Sequence, residues 1–325
     1  MDLTLGRLSE IPNLTISRDA RLSAYTRFAI GGPADIYAET ESVESFIQAL
    51  AVARTSGRDY MVMGGGTNLI VSDLGFRGIM LRFVAQRMLA AGDRVQCDAG
   101  AVLQDLVDFA IGHGLQGIET LAGIPGSVGA AVYGNAGAYG HSISEGVRGV
   151  RFFDGERVRV FDNAGCEFHY RESVFKRHKD WIIFSTELRM TPADAGSLRQ
   201  TADDIVKVRN EKFPVTMKCA GSIFKNFLLA ELPPAVAAAV PRTVVREGKV
   251  PAAYFLEQVG AKGMSQGDIH VAGYHANLIY NAGGGTAADL RALIEELKAR
   301  VRRHFAVVLE EEVQYVGFTD VCPVG

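Results

Sequence analysis

Cysteine is scarce in this chain: four among 325 residues, Cys97, Cys166, Cys219 and Cys322, with no C-x-x-C pair. That scarcity excludes a disulfide framework or a zinc ribbon, leaving reduced thiols and no metal as the expectation. Positive charge is not in excess either, since 34 Lys and Arg stand against 37 Asp and Glu for a net charge of −3. A nucleic-acid partner is therefore not expected. No apolar run approaches the ~20 residues that span a bilayer, so membrane insertion is not expected. The opening Met-Asp-Leu-Thr-Leu-Gly has neither the basic nor the apolar region of a secretion signal, which points to the cytoplasm.

What is present is apolar content of 48% beside charged content of 22%, the balance of a soluble globular protein with a large core. A prior of about 150 residues per domain gives two or three domains. Glycine is concentrated. The stretch AGIPGSVGAA at 122–131 does not read as the interior of a helix or strand, because three glycines and a proline disrupt either element. It offers backbone N–H groups with no side chains over them, which is how a chain surrounds phosphate. A second cluster, GGGTNL at 64–69, follows the apolar run Tyr60-Met61-Val62-Met63. Two such loops suggest a dinucleotide.

Periodicity supplies the scaffold. Strands are expected at 35–38, at 60–63 before the glycine loop, at 78–83 and at 95–98, with an amphipathic helix over 43–54 facing Phe46, Leu50 and Val52 to a core. A helix over 103–113 has Gly114 as its C-cap, and strands at 150–153 and 158–161 flank the turn Asp154-Gly155. The texture changes near 191–193. A polar helix over 197–211 is stopped by Pro214, and an alanine-rich stretch at 233–240 and a short helix at 254–259 follow. A long helix over 287–305 is capped by Thr286, and a strand at 307–316 closes the chain. The fold class is α+β, with a flavin-type domain followed by a smaller α/β domain, and boundaries at 1–83, 84–195 and 196–325.

Three segments carry polar groups suited to chemistry. In YRESVFK at 170–176, Arg171 is a fork for carboxylate or phosphate, though alone it reads equally as a surface arginine at a turn. In GSIFKN at 221–226, Gly221 exposes Ser222, but no G-x-S-x-G elbow makes it a hydrolase nucleophile. In LEEEV at 309–313, strand alternation sets Glu310 and Glu312 on one face and Glu311 on the other, and periodicity does not decide which carboxylate works.

Taken in order, these motifs resemble the family of bacterial UDP-N-acetylenolpyruvoylglucosamine reductases, the UDP-N-acetylmuramate dehydrogenases. The resemblance runs from about Tyr25 to Gly317 through GGGTNL, AGIPGSVGAAVYGNAGAYG, YRESVFK, GSIFKN, HANLIYN and LEEEV. The interval from Arg171 to Ser222 is too short for the tyrosine-bearing insertion of the longer family type, which points to the shorter, type II form. The resemblance implies a two-lobed FAD domain of the vanillyl-alcohol-oxidase and p-cresol-methylhydroxylase kind, then a C-terminal substrate domain.

The resemblance also implies residue roles. Noncovalent FAD would be held by Gly64, Gly65, Gly66, Thr67, Asn68 and Leu69. The second loop would add Ala122, Gly123, Ile124, Pro125, Gly126, Ser127, Val128 and Gly129, with Asn135, Gly137 and Ala138 beyond it. NADPH would reduce the flavin, and UDP-N-acetylglucosamine enolpyruvate would accept hydride at C3. Arg171 and Glu312 are implied to stabilise the enolate-like species, and Ser222 to deliver a proton to C2. Tyr170, Lys212, Lys225, Asn226 and His275 are implied around the UDP-sugar, although His275 reads as well as a core histidine. No oligomer is required.

Three positions depart from the usual pattern. Thr67 stands where serine is common, Phe227 where proline follows Lys-Asn, and Glu311 where proline is common in the acidic motif. Two rivals carry weight: an oxidase of the same fold, and a noncatalytic flavin-binding module. The first has no reason to keep Arg171, Ser222 and Glu312, and no histidine for covalent flavin lies in or near 64–69.

Overall fold

The computed structural model describes residues 2–318, and Cys322 lies outside them. The chain forms two compact units, neither continuous in sequence. The first comprises Met1–Ala20, Asp35–Gly65 and Gly78–Glu211, and the second Arg21–Ala34, Gly66–Arg77 and Lys212–Gly325.

Two sheets build the first unit. A four-stranded sheet, mainly within it, runs in the order Thr15–Arg21, Pro33–Thr40, Phe76–Phe83, Asp59–Met63. The last two strands pair in parallel, with Met61 beside Met80. Helix Val43–Thr55 connects Pro33–Thr40 to Asp59–Met63; Ser42 caps it, and Phe46, Leu50 and Val52 are buried as their spacing predicts. A five-stranded antiparallel sheet follows, ordered Val158–Asp162, Val147–Phe153, Ile182–Arg189, Arg94–Asp98, Met88–Ala91. Its hairpin closes at Asp154, whose carboxylate accepts the N–H groups of Glu156 and Arg157. Those same bonds hold the Asp154 carboxyl below the usual carboxylate range. Phe46, Phe83 and Phe184 meet edge to face in the core.

The glycine-rich passage is not all loop. Val128–Tyr133 is a short helix, because Gly123, Pro125 and Gly126 precede it and Ser127 caps it by accepting Ala130 N–H at 3.3 Å. Gly129 alone lies inside, where a Cβ would come 2.8 Å from Ala99 Cβ.

The second unit centres on helix Ala287–Phe305. Thr286 and Asp289 form a reciprocal capping box, and Leu290, Leu293, Ile294, Leu297 and Val301 make one buried stripe. Each such side chain contributes about 1.5–3 kcal/mol on burial. Asp73 extends the cap, its carboxylate accepting Ala287 N–H at 2.9 Å and Ala288 N–H at 3.0 Å. Around it lie the three-stranded sheet Ser265–Gln266, Ile269–Val271, Ile279–Asn281 and the helix Ala252–Gln258.

The expected strand over 307–316 is mostly absent. Only Gln314–Val316 is a strand, paired in parallel with Leu69–Val71, and the acidic triplet touches its neighbours through one isolated bridge, Phe224 to Glu311. The ladder is missing, yet the expected alternation holds in exposure: Leu309 and Val313 are buried and Glu311 bonds Tyr315, while the Glu310 side chain is exposed. The segment is pinned by the Glu310 and Glu311 side chains and by the backbone N–H and carbonyl of Glu312 instead of by a ladder. No helix among the described residues is long and apolar enough to cross a membrane.

Candidate functional site

The glycine motifs meet within the first unit. A Cβ on Gly64 would lie 2.9 Å from Ser127 Oγ, and one on Gly65 would lie 3.2 Å from both Gly126 Cα and Ser127 N. Two backbones this close admit no side chain, so the pair forms a surface of bare main chain. Gly123 and Gly126 have φ of +74° and +122°, values that bulkier residues rarely adopt. The amides of Val128 and Gly129 donate to the carbonyls of Ala101 and Ala99 at 2.8 Å each, so the motif presents its Gly126–Ser127 edge. Ala122 and Val128 are fully buried, and any contribution from them to a ligand is through backbone. This cradle, which a Cβ would fill, fits a dinucleotide phosphate bridge.

The GGGTNL motif is divided: Gly64 and Gly65 belong to the first unit, and Gly66 onward to the second. Asn68 Nδ2 donates to Glu312 O at 2.8 Å, and Gln314 N–H donates to Asn68 O at 3.0 Å. The end of the first glycine motif is thus stitched to the acidic segment.

Arg171 sits in the first unit at φ +59°, a left-handed conformation unusual for arginine. Its Nη2 donates to Gly137 O at 3.0 Å, and its guanidinium lies 5.4 Å from the Tyr170 ring centroid. Gly137 belongs to the hairpin Gly137–Ala138 with His141–Ser142, where a Cβ would meet His141 O at 2.4 Å. Asn135 ties the two motifs together, since its Nδ2 donates to His169 O at 2.8 Å. Two residues of YRESVFK outside the sequence-based set complete the support. Fully buried Ser173 donates from Oγ to Tyr133 O at 2.7 Å, and Lys176 Nζ donates to Arg171 O at 2.8 Å. Their signal in the sequence was membership of the motif, not chemistry.

In the second unit Ser222 and Glu312 lie on adjacent segments. Glu312 N–H donates to Ile223 O at 2.7 Å, and Lys225 N–H to Glu310 O at 2.9 Å. Lys225 also pairs through Nζ with the exposed Glu310 carboxylate. Gly221, at φ +79°, makes the turn that leaves Ser222 half-buried. Asn226 accepts Ala252 N–H at 3.2 Å and so caps the helix Ala252–Gln258. Asn277, not singled out from the sequence, is 2% exposed and bonds both ways to Phe224: Oδ1 accepts its N–H at 2.9 Å, and Nδ2 donates to its carbonyl at 2.8 Å.

His275 is half-buried, and its Nδ1 accepts Asn277 N–H at 3.2 Å. Burial, reinforced by the Lys212 charge, holds its pKa below the ordinary histidine value. The Lys212 carbonyl accepts the Tyr274 hydroxyl at 2.8 Å, so Lys212 and His275 share one corner of the unit. Among the described residues no three His, Cys, Asp or Glu side chains gather as metal ligands.

The cradle of bare main chain in the first unit is of the kind that holds a flavin dinucleotide, and it points to the class of flavin-dependent oxidoreductases. Residues 34–160 match the FAD binding domain, and residues 213–316 match the UDP-N-acetylenolpyruvoylglucosamine reductase C-terminal domain. A UDP-N-acetylenolpyruvoylglucosamine reductase of Solibacter usitatus is 69% identical over 311 residues, 96% of this chain and 100% of that one. Another, from Pseudothermotoga lettingae, is 33% identical over 92% of this chain and 97% of its own. The crystal structure of the Thermus caldophilus enzyme superposes with a TM-score of 0.73 at 27% identity, covering 93% of this chain and 99% of that one. The chain belongs to the UDP-N-acetylenolpyruvoylglucosamine reductase family, whose members are FAD-dependent oxidoreductases of peptidoglycan precursor synthesis.

Proposed function

We propose that this chain reduces UDP-N-acetylglucosamine enolpyruvate to UDP-N-acetylmuramate with NADPH as the hydride source. The observation that carries this reading is the 2.7 Å bond from Glu312 N–H to Ile223 O, which sets the family's serine and glutamate motifs side by side. When bound, FAD would supply hydride-transfer chemistry between NADPH and C3 of the enolpyruvyl substrate. Gly64, Gly65, Gly126 and Ser127 would hold its phosphates through backbone, with Gly66, Thr67, Asn68, Gly123, Ile124, Pro125, Asn135 and Ala138 as further contacts.

Hydride arriving at C3 leaves negative charge spread over C2 and the carboxylate. Arg171 stabilises that charge with a fixed positive fork, and Glu312 hydrogen-bonds the same enolate-like species. Preorganised groups of this kind contribute about 3–4 kcal/mol each. Ser222 then donates its hydroxyl proton to C2, a step that a weak acid performs only toward a strongly basic carbon. Tyr170, Lys212, Lys225, Asn226 and His275 are assigned to the UDP-sugar. Lys225 and Asn226 hold structural bonds as well, so truncating either lowers stability along with binding.

The short interval from Arg171 to Ser222 holds two helices, Val174–Arg177 and Ala195–Lys212, and two strands, Ile182–Arg189 and the two-residue Thr191–Pro192, which supports the type II assignment. The two sheets of the first unit support lobes at 1–83 and 84–195, with 196–325 as the substrate domain, although residues 196–211 group with the first unit and 21–34 and 66–77 with the second. We place the reaction in the cytoplasm, with no nucleic acid, membrane or second copy required.

The test follows NADPH absorbance with purified protein, with and without the enolpyruvyl substrate. Substrate-dependent loss is expected. Flavin reduction with no substrate-dependent turnover would favour a noncatalytic flavin module. Denaturation and filtration are expected to release a yellow cofactor of FAD mass, because no histidine lies near the glycine motif.

A further inference from the structure

The acidic segment is held in place by groups that the proposed chemistry does not use. Glu311 Oε1 accepts Lys298 Nζ at 3.1 Å and Tyr315 OH at 3.2 Å, and its side chain is only 19% exposed. Lys298 belongs to the long helix Ala287–Phe305 and also bonds Glu295 at 3.0 Å. Burial alone would lower the Lys298 pKa, but its bonds to Glu295 and Glu311 outweigh that and hold it above the ordinary lysine value. Burial and the Glu311 charge push the Tyr315 phenol up, so it stays a hydroxyl donor. A charged, partly buried cluster of this kind is screened by salt much less than a surface pair.

Across from this cluster, Glu311 faces Phe224 in the isolated bridge. The two bonds of that bridge flank Glu311: Lys225 N–H to Glu310 O on one side and Glu312 N–H to Ile223 O on the other. The residue between the two bonds is therefore the one whose side chain is anchored to a rigid helix. Neither bridge bond uses the Glu311 N–H, so a proline at 311 would lose no bridge bond. What holds the position in this chain is the ion cluster of Glu311, Lys298 and Tyr315.

We propose that Glu311 is a positioning residue: clamped by Lys298 and Tyr315, it fixes the register in which Glu312 meets the Ser222–Ile223 segment. The proposal rests on the role assigned to Glu312 in the reaction above. A clamp of this kind acts on geometry, and small misplacements of a catalytic group carry large rate penalties.

The experiment uses FAD-loaded full-length protein and two readouts, rapid-mixing absorbance of each half-reaction and amide exchange over residues 307–316. Lys298→Met and Glu311→Gln are expected to slow reoxidation by the enolpyruvyl substrate about 10-fold and leave NADPH reduction within about 2-fold. Exchange of the segment is expected to quicken about 10-fold in both. Lys298→Arg is expected to retain both wild-type values, and Glu311→Pro combined with Lys298→Met is expected to restore them. Tyr315→Phe, which removes one hydroxyl and is the mildest change to packing, is expected to shift both readouts the same way by about 2-fold. Wild-type reoxidation in Lys298→Met and Glu311→Gln would overturn the clamp, as would faster exchange with unchanged reoxidation. Failure of proline to rescue would overturn it too, since a Glu311 acting on substrate directly is lost in that variant. Glu312→Gln, run in parallel, separates the two claims: slow reoxidation there beside normal Lys298→Met sinks the clamp alone, while normal reoxidation in Glu312→Gln sinks the assignment beneath it.

Discussion

Arg171 in the first unit is set by its own stretch of chain, through a left-handed backbone at φ +59° and a bond to Gly137 O 34 residues away. Ser222 and Glu312 in the second unit are set by bonds that span far more sequence. Asn277 reaches Phe224 across 53 positions, and Asn68 reaches Glu312 across 244. The first arrangement stores about 1–3 kcal/mol of backbone strain in one residue and surrounds it with local supports. The second makes the site's geometry conditional on the folding of a whole unit. Truncations in the two places should therefore separate activity from stability in different ways.

The sharpest expected contrast is Arg171→Met. It removes the positive fork without touching the cores, so reoxidation by substrate is expected to fall about 10³-fold with little change in melting temperature. Reduction by NADPH should persist. Rapid-mixing absorbance and thermal unfolding on one preparation check both, and a variant that melts early with proportionate loss of both half-reactions would break the comparison.

Ser222→Ala comes next. It removes a hydroxyl with little volume change, so the NADPH half-reaction is expected to survive while the oxidative half-reaction falls about 10²-fold, the range of a lost general acid. Ser222→Cys should keep part of the activity, since a thiol also donates a proton. An alanine variant that loses NADPH reduction but reoxidises normally would move Ser222 to cofactor docking.

Asn277→Ala tests the other side of the contrast. It leaves the N–H and carbonyl of buried Phe224 without their side-chain partner, a cost of about 2–4 kcal/mol. Calorimetry is expected to show a melting transition lowered by several degrees, with the oxidative half-reaction reduced only as far as the Ser222 segment shifts. An unchanged transition would mean that the second unit does not depend on this long-range tie.

These contrasts also mark what was legible in the sequence. Helices and strands of the first unit follow from local periodicity: Val43–Thr55, Leu103–Gly112 and the hairpin at Asp154 lie where apolar spacing and turn chemistry put them. The long helix Ala287–Phe305 and its threonine cap were equally plain. The acidic segment was half legible: Leu309 and Val313 turn inward at the expected spacing, yet ahead of Gln314–Val316 there is one isolated bridge instead of a ladder, and Glu311 is anchored by Lys298 from a helix. Short-range pattern carries no record of that partner. The helix Val128–Tyr133 was hidden for a related reason: only the position of the Ser127 cap shows that Gly123, Pro125 and Gly126 precede it and that Gly129 alone lies inside. Motif order located the candidate site residues, but Asn277, Ser173 and Lys176, which hold those residues, act through backbone carbonyls and amides that no residue pattern advertises.

The smallest expected effect lies at His275, where the two kinds of support meet. Its Nδ1 accepts Asn277 N–H at 3.2 Å, so the folded state favours the neutral ring with its proton on Nε2. Burial and Lys212 lower its folded pKa below the ordinary value of 6.5. Between those two values the unfolded chain binds a proton that the folded chain does not, so stability rises with pH across that interval. The contribution is complete above 6.5 and is lost as pH falls through 6.5 toward the folded value. His275→Gln removes the titration, so its denaturation midpoint is expected to fall less than the wild type's between about pH 7.5 and about pH 5. Protonation would also cost the Asn277 N–H its acceptor, which adds to the wild-type loss in the same direction. Parallel acid dependence in the two proteins would show that His275 titrates alike folded and unfolded, and the long-range network around Phe224 would then carry no pH sensitivity through this ring.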